Sequence, residues 1–175
     1  MAKLSHYSIL VVEDEESVAG ILISYLKLYE GFDNIVHAKD GIEATQKLSN
    51  QDFDLIFTDI VMERKDGLKF VESLRKIPKY YNQEIIIVSG CMTSELTLEC
   101  MRRGIRNIIV KPFTIKQILY KAFTSLKIDG AKKTVAKIVE RKTLEMLEME
   151  DEDFESEEEK LEQEVEDLIK KSFSK

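Results

Sequence analysis

Residues 53–67 read FDLIFTDIVMERKDG: an apolar run, a threonine, a carboxylate, then a polar turn closing on Asp66-Gly67. Phe53–Thr58 has the composition of a strand buried on both faces, with little polar alternation. Such a strand, ending in Asp59, delivers a charge to the rim of a sheet rather than to its faces. Four further segments share the pattern: Tyr7–Val12, Asn34–Ala38, Glu84–Ser89 and Asn107–Val110.

Helical spacing fills the intervals. Val18, Ile21, Leu22, Tyr25, Leu26 and Tyr29 mark one apolar face, and Ile42, Ala44, Thr45 and Leu48 a second. Leu68, Phe70, Val71, Leu74 and Ile77 mark a third, stopped by Pro78. Leu96, Leu98 and Met101 mark a fourth, and Ile115, Ile118, Leu119, Ala122, Phe123 and Leu126 a fifth. Strand and helix alternate strictly, which predicts an α/β fold: right-handed crossovers, a five-stranded parallel sheet and helices on both faces. This pattern accounts for residues 1–128.

Asp129-Gly130 breaks it. Residues 129–175 read as an acidic helical extension with two helices, about 131–149 and 156–173, separated by the acidic break Glu150–Asp153. Met146 and Met149 read as contacts of the first. In the second, Leu161, Val165, Leu168 and Ser172 form a stripe too narrow to stand alone. The extension is expected to dock on the first domain, to dimerise the chain, or to link it to an output domain.

The net charge of −7 is uneven. Residues 1–147 carry 22 Lys+Arg against 20 Asp+Glu, while residues 148–175 carry 13 acids against four lysines. The excess negative charge lies in the extension, where it opposes nucleic-acid binding. No apolar run approaches the roughly 20 residues that span a bilayer, and the start carries no signal peptide. Cys91 and Cys100 make neither a disulfide framework nor a metal-ligand set. Together these features predict a cytoplasmic protein. His6 and His37 have no ligand spacing and read as core or surface residues.

In an open parallel sheet, ligands bind beyond the carboxyl ends of the strands. Glu13-Asp14-Glu15-Glu16 follows the first strand, Asp59 the third, Ser89-Gly90 ends the fourth, and Lys111-Pro112 follows the fifth. Alone, each is an ordinary turn or helix start. On one rim they form a set. Glu13, Asp14 and Asp59 converging would repel one another and call for a cation, for which Mg²⁺ suits hard oxygen ligands. Lys111 adds a fixed positive charge and Ser89 a hydroxyl donor. Carboxylate, metal, lysine and hydroxyl are what a phosphoryl group needs, with Asp59 as nucleophile.

Five motifs, covering residues 5–128, carry a resemblance: Ile9–Glu15 (ILVVEDE), Ala38–Ala44 (AKDGIEA), Asp59–Met62 with Asp66-Gly67, Ile85–Gly90 (IIIVSG) and Val110–Phe113 (VKPF). Here the chain resembles the receiver domain of bacterial two-component response regulators. The resemblance implies a flavodoxin-like, doubly wound sheet of order 2-1-3-4-5. It implies phosphoryl transfer to Asp59 from a histidine kinase or phosphotransfer protein. Ser89 and Lys111 would contact the phosphoryl group. Mg²⁺ would be held by Glu13, Asp14, Asp59 and the backbone carbonyl of Val61, and the Lys111–Pro112 bond would be cis. A downstream protein effector, a missing output domain or a homodimer would read the state. The chain would catalyse only its own phosphorylation and dephosphorylation.

Four positions depart from the family pattern. Glu63 stands where many receivers have proline, adding charge beside the pocket. Ile108 stands at the usual aromatic switch position. Val61 and Cys91, at positions that tune phosphoryl lifetime, are weakly polar and predict slow self-dephosphorylation. Two alternatives stay open: a Mg²⁺-dependent phosphohydrolase with an aspartyl-phosphate intermediate, disfavoured because Val61 stands where such enzymes carry an acid, and a degenerate receiver acting as an unphosphorylated scaffold.

Overall fold

The computed structural model describes residues 6–62 and 67–146. Five parallel strands, β1 (Ser8–Val12), β2 (Asn34–Ala38), β3 (Leu55–Thr58), β4 (Glu84–Ser89) and β5 (Asn107–Val110), form one sheet in the order β2-β1-β3-β4-β5. Helices α1 (Glu16–Leu26), α2 (Gly41–Asn50), α3 (Gly67–Arg75), α4 (Ser94–Arg102) and α5 (Ile115–Ser125) follow the strands in turn, with a 3₁₀ turn at Pro78–Tyr80 before β4. The fold class is the one the alternation of strand and helix predicts, and the order is the one the resemblance implies.

Successive strand side chains point to opposite faces, so each inner strand feeds two cores. Leu10, Val12, Ile56, Ile85 and Ile87 pack under α2, α3 and α4 with Ala44, Leu48, Phe70, Val71, Leu74 and Cys100. On the other face α1 packs with α5, and their Leu22, Leu26, Leu119 and Phe123 are fully buried, as are Ile9, Val11, Phe57 and Ile86 of the strands. At the far end of this face Phe32 meets Phe123 edge-on and Tyr29 lies tilted against it. Burial on both sides explains why the inner strands show no alternation.

Helix starts follow their caps. Asp40 accepts from the backbone N–H groups of Ile42 and Glu43, both at 2.8 Å. Thr114 and Gln117 close a capping box on α5, and Thr93 caps α4. The chain divides into two compact units, residues 1–135 and 136–175. Residues 131–135 of the first and 136–146 of the second are helical. Among the described residues no helix is long and apolar enough to cross a membrane. The second extension helix, the acidic break, Met149, Glu63 and Asp66 lie outside the described residues.

Gly67, which closes the opening motif, is held by space. Its N–H donates to the Ile60 carbonyl at 2.9 Å, and a Cβ built on it would fall 1.8 Å from the backbone oxygen of Asp59. No side chain can occupy that point unless the β3–α3 loop shifts, and Asp59 with it. Gly20, on α1, has nothing within 4 Å of its Cβ position. Gly67→Ala is therefore expected to lower stability by about 1–3 kcal/mol. Gly20→Ala should be neutral or add up to about 1 kcal/mol. Urea unfolding of the two variants beside the parent measures the contrast, and equal midpoints would contradict it.

Candidate functional site

Glu13, Asp59 and Lys111 are each rooted one step beyond the end of a strand, where the parallel ladder still holds the backbone, and Ser89 is the last residue of β4. Glu13 donates its N–H to Ala38 at 3.0 Å, Asp59 to Val12 at 3.0 Å, and Lys111 to Ser89 at 2.9 Å. Their side chains therefore start from the same rim. The Lys111–Pro112 peptide bond is cis.

The Lys111 ammonium lies 2.6 Å from Oδ2 of Asp59 and 2.7 Å from Oε2 of Glu13. One cation bridges two buried carboxylates. The second Asp59 oxygen, Oδ1, accepts from the Val61 N–H at 3.1 Å. Burial pushes the Glu13 carboxyl above the ordinary carboxylate range, and the hydrogen bond and charge of Lys111 recover only part of that. Burial alone would lower the Lys111 ammonium. Its hydrogen bonds to Asp59 and Glu13, with their charges, outweigh burial and hold it above the usual lysine value.

Ser89 is fully buried beside this triad, and its hydroxyl meets no hydrogen-bond partner among the described residues. An unpartnered buried hydroxyl is costly, so its presence at the rim reads as a group reserved for a ligand. Asp14 is half-buried in the β1–α1 loop. Val61 and Cys91 are exposed, and Ile108 is half-buried.

The expected convergence of three acids is only partly met. Among the described residues no three histidine, cysteine or acidic side chains stand in a metal-ligand group, and Lys111 stands between Glu13 and Asp59. Donor chemistry nevertheless suits a hard divalent cation: every candidate ligand is oxygen. Glu13, Asp59 and Lys111 together leave one net negative charge, and Asp14 beside them makes two.

One residue escaped the sequence. His37, on edge strand β2, places Nε2 at 2.8 Å from the Glu13 carbonyl oxygen. A carbonyl only accepts, so Nε2 carries the proton. The Glu13 peptide is thus gripped on both sides by β2, through Ala38 and through His37. No ligand spacing marks His37; its signal was its place beside the first acid across a parallel register, visible once Val11 pairs with His37.

A family model described as the response regulator receiver domain matches residues 9–123. The chemotaxis protein CheY homologue of Campylobacter jejuni is 33% identical over 107 residues, 61% of this chain and 82% of that protein. The probable C4-dicarboxylate response regulator DctR of Halalkalibacterium halodurans is 29% identical over 118 residues, 67% of this chain, which spans only 50% of that regulator's length. Among solved structures, CheY in the CheX–CheY–BeF₃–Mg²⁺ complex from Borrelia burgdorferi aligns with a TM-score of 0.62 at 28% identity, covering 67% of this chain and 87% of that one.

The bridged triad sets a stability test. Lys111→Met strips the cation from two buried carboxylates, and at pH 7 it should cost about 3 kcal/mol. A raised Glu13 means that the folded state binds this proton more readily than the unfolded one. Loss of Lys111 raises Glu13 further, so the variant's deficit grows as pH rises above the ordinary carboxylate range. Below that range both states are protonated and the deficit should close. Urea midpoints of parent and variant between pH 4 and 7 give the difference, and a pH-independent gap would overturn the bridge as its cause.

Proposed function

Because this chain belongs to the response regulator receiver domain family, we propose that Asp59 is its phosphoacceptor, with Lys111 and Ser89 as the groups that receive the phosphoryl oxygens. The family acts in two-component signalling, its members interact with histidine kinases and downstream effectors, and its receivers are generally Mg²⁺-dependent. One observation carries the residue assignment: Lys111 sits 2.6 Å from Asp59 beside a buried Ser89 hydroxyl with no partner.

In this mechanism a carboxylate oxygen of Asp59 attacks phosphorus in line with the phosphorus–nitrogen bond of a phosphohistidine donor. The new oxygen–phosphorus bond forms as that bond breaks, and the imidazole leaves with the electron pair. Lys111 exchanges part of its contact with Asp59 for a phosphoryl oxygen, keeping its charge at the point where negative charge gathers. Ser89 donates its hydroxyl to a second oxygen. The Val61 N–H holds Oδ1 of Asp59 in place, which leaves Oδ2 as the nucleophile. Glu13, Asp14, Asp59 and the Val61 carbonyl would hold Mg²⁺, which when bound neutralises phosphoryl charge. The Borrelia CheY was solved as a complex with BeF₃ and Mg²⁺, which supports this ligand class here.

We take the chain as a cytoplasmic signalling module that catalyses only its own phosphorylation and dephosphorylation. Residues 129–175 would be an extension to the receiver of residues 1–128, serving docking, dimerisation or linkage to an output domain. A downstream protein, rather than nucleic acid, would read the phosphorylated state. Turnover of an external phosphoester is not favoured, since Val61 is apolar and largely exposed.

Incubated with Mg²⁺ and acetyl phosphate, the full chain should gain a species about 80 Da heavier, one phosphoryl group. Intact-mass spectrometry should lose it in Asp59→Asn, and with Mg²⁺ removed by EDTA the yield should collapse. An adduct that survives Asp59→Asn would move the acceptor elsewhere. Lifetime gives a second measurement. With Val61 apolar and Cys91 a thiol, an attacking water has no orienting partner, so Val61→Asn should shorten the adduct's half-life severalfold. Equal half-lives would reject that cause.

A further inference from the structure

At the end of the sheet opposite Asp59, the first residues of β4 and β5 and the last turns of α3 and α4 surround a recess of about 740 Å³. That volume lies within the roughly 300–1,000 Å³ typical of small-molecule clefts. Four arginines line it, Arg75, Arg102, Arg103 and Arg106, against Glu72 and Glu84. We propose that this recess binds a phosphate-bearing anion of nucleotide size.

Two of the arginines are structural and two are available. Arg75 Nη1 donates to the carbonyls of Tyr80, Tyr81 and Gln83 at 2.8–3.0 Å, and its Nε donates to Arg103 at 3.3 Å. This matters because the carboxyl ends of α3 and α4 both open here and would repel an anion. Arg75 takes up the carbonyl of Arg103 just beyond α4 and three carbonyls of the loop before β4, which removes part of that repulsion. Arg103 is mostly buried and tied to Glu99 and to the Glu99 carbonyl at 3.0 Å, while its buried Nε–H has no acceptor. Arg103 also stands 3.8 Å from Glu72, so it contributes fixed positive charge to the wall of the recess rather than a free donor.

The other two can move. Arg106 is exposed, and no hydrogen bond or ion pair holds its guanidinium among the described residues. Arg102 is 72% exposed and pairs with Glu99, an exposed pair worth about 0–1 kcal/mol. A dianionic phosphate, taken up by the paired N–H groups of guanidinium, outcompetes such a contact. Tyr81, 63% exposed, and Met101, 62% exposed, stand on the same wall and offer a flat apolar surface for a base. The guanidiniums explain the anion, and the volume and the tyrosine explain its size.

The test is a nuclear magnetic resonance titration of the full ¹⁵N-labelled chain with ATP in EDTA at low salt. EDTA keeps metal-assisted binding at the Asp59 end out of play. Saturating shifts should centre on the amides of Gln83, Gly104, Arg106 and Asn107. Replacing the two mobile arginines together, Arg102→Ala with Arg106→Ala, should weaken ATP binding by about a hundredfold, each lost charge-assisted bond being worth about a factor of ten. Both are exposed, so the fold should survive their loss. Inorganic triphosphate should bind more weakly than ATP, and Tyr81→Ala should remove that difference. Shifts confined to Ser89, Gly90 and Lys111, affinity unchanged in the double variant, or triphosphate binding as tightly as ATP would each overturn the proposal.

Discussion

Two carboxylates taken out of water at the rim of a parallel sheet require a positive charge between them, and Lys111 supplies it at 2.6 and 2.7 Å. The sheet order makes this demanding. Glu13 and Asp59 leave adjacent strands, but Lys111 leaves β5, which is separated from β3 by β4. The side chain must cross the end of β4 to reach Asp59. It can do so because β4 ends in Ser89 and is followed by Gly90, both small, and because a lysine stem is long and unbranched. The backbone bond from Lys111 to Ser89 fixes where the crossing starts.

Stability and chemistry then share one atom. The ammonium that offsets burial of Glu13 and Asp59 is the same group that, in the proposed mechanism, receives phosphoryl charge. A site that held its carboxylates with two separate cations would be more stable and less responsive. Here any new negative group at Asp59 competes directly for Lys111, so Glu13 and the loop that carries it must respond. His37 and Ala38 restrain that response by gripping the Glu13 peptide from β2.

The fold was legible because its determinants are local and repeated: five segments without alternation, five helical faces, and caps such as Asp40 and Thr114 at the junctions. The rim residues were legible for a related reason. A strand's last residue must leave its carboxyl end, so Glu13, Asp59, Ser89 and Lys111 share an edge whatever their distances. What the sequence hid depends on three-dimensional register or on space. It suggested a metal among three acids, whereas the structure puts Lys111 between two of them and leaves Asp14 half-exposed. His37 gained meaning only from its neighbour across the β1–β2 ladder. Gly67 looked like a turn former, but its requirement is the 1.8 Å that separates a Cβ from the Asp59 carbonyl. Of the arginines of the opposite recess, Arg102, Arg103 and Arg106 lie close together in sequence, but Arg75 joins them only through the fold.

β4 (Glu84–Ser89) and α4 (Ser94–Arg102) both run between the Asp59 rim and the arginine-lined end, and they differ in how firmly they are held. Five of the six β4 residues are buried, and Ser89 at its end stands beside the triad. In α4 only Cys100 is buried, while Leu98 and Met101 remain exposed. A helix with one buried side chain has little apolar area to lose on shifting, whereas β4 would have to break two ladders and two cores. Any rearrangement started at Ser89 is therefore cheapest along α4, and the carboxyl end of that helix carries Arg102 and Arg103 into the recess. The physical asymmetry between a fixed strand and a lightly held helix makes that helix the path of least resistance between the Asp59 rim and the arginine-lined end.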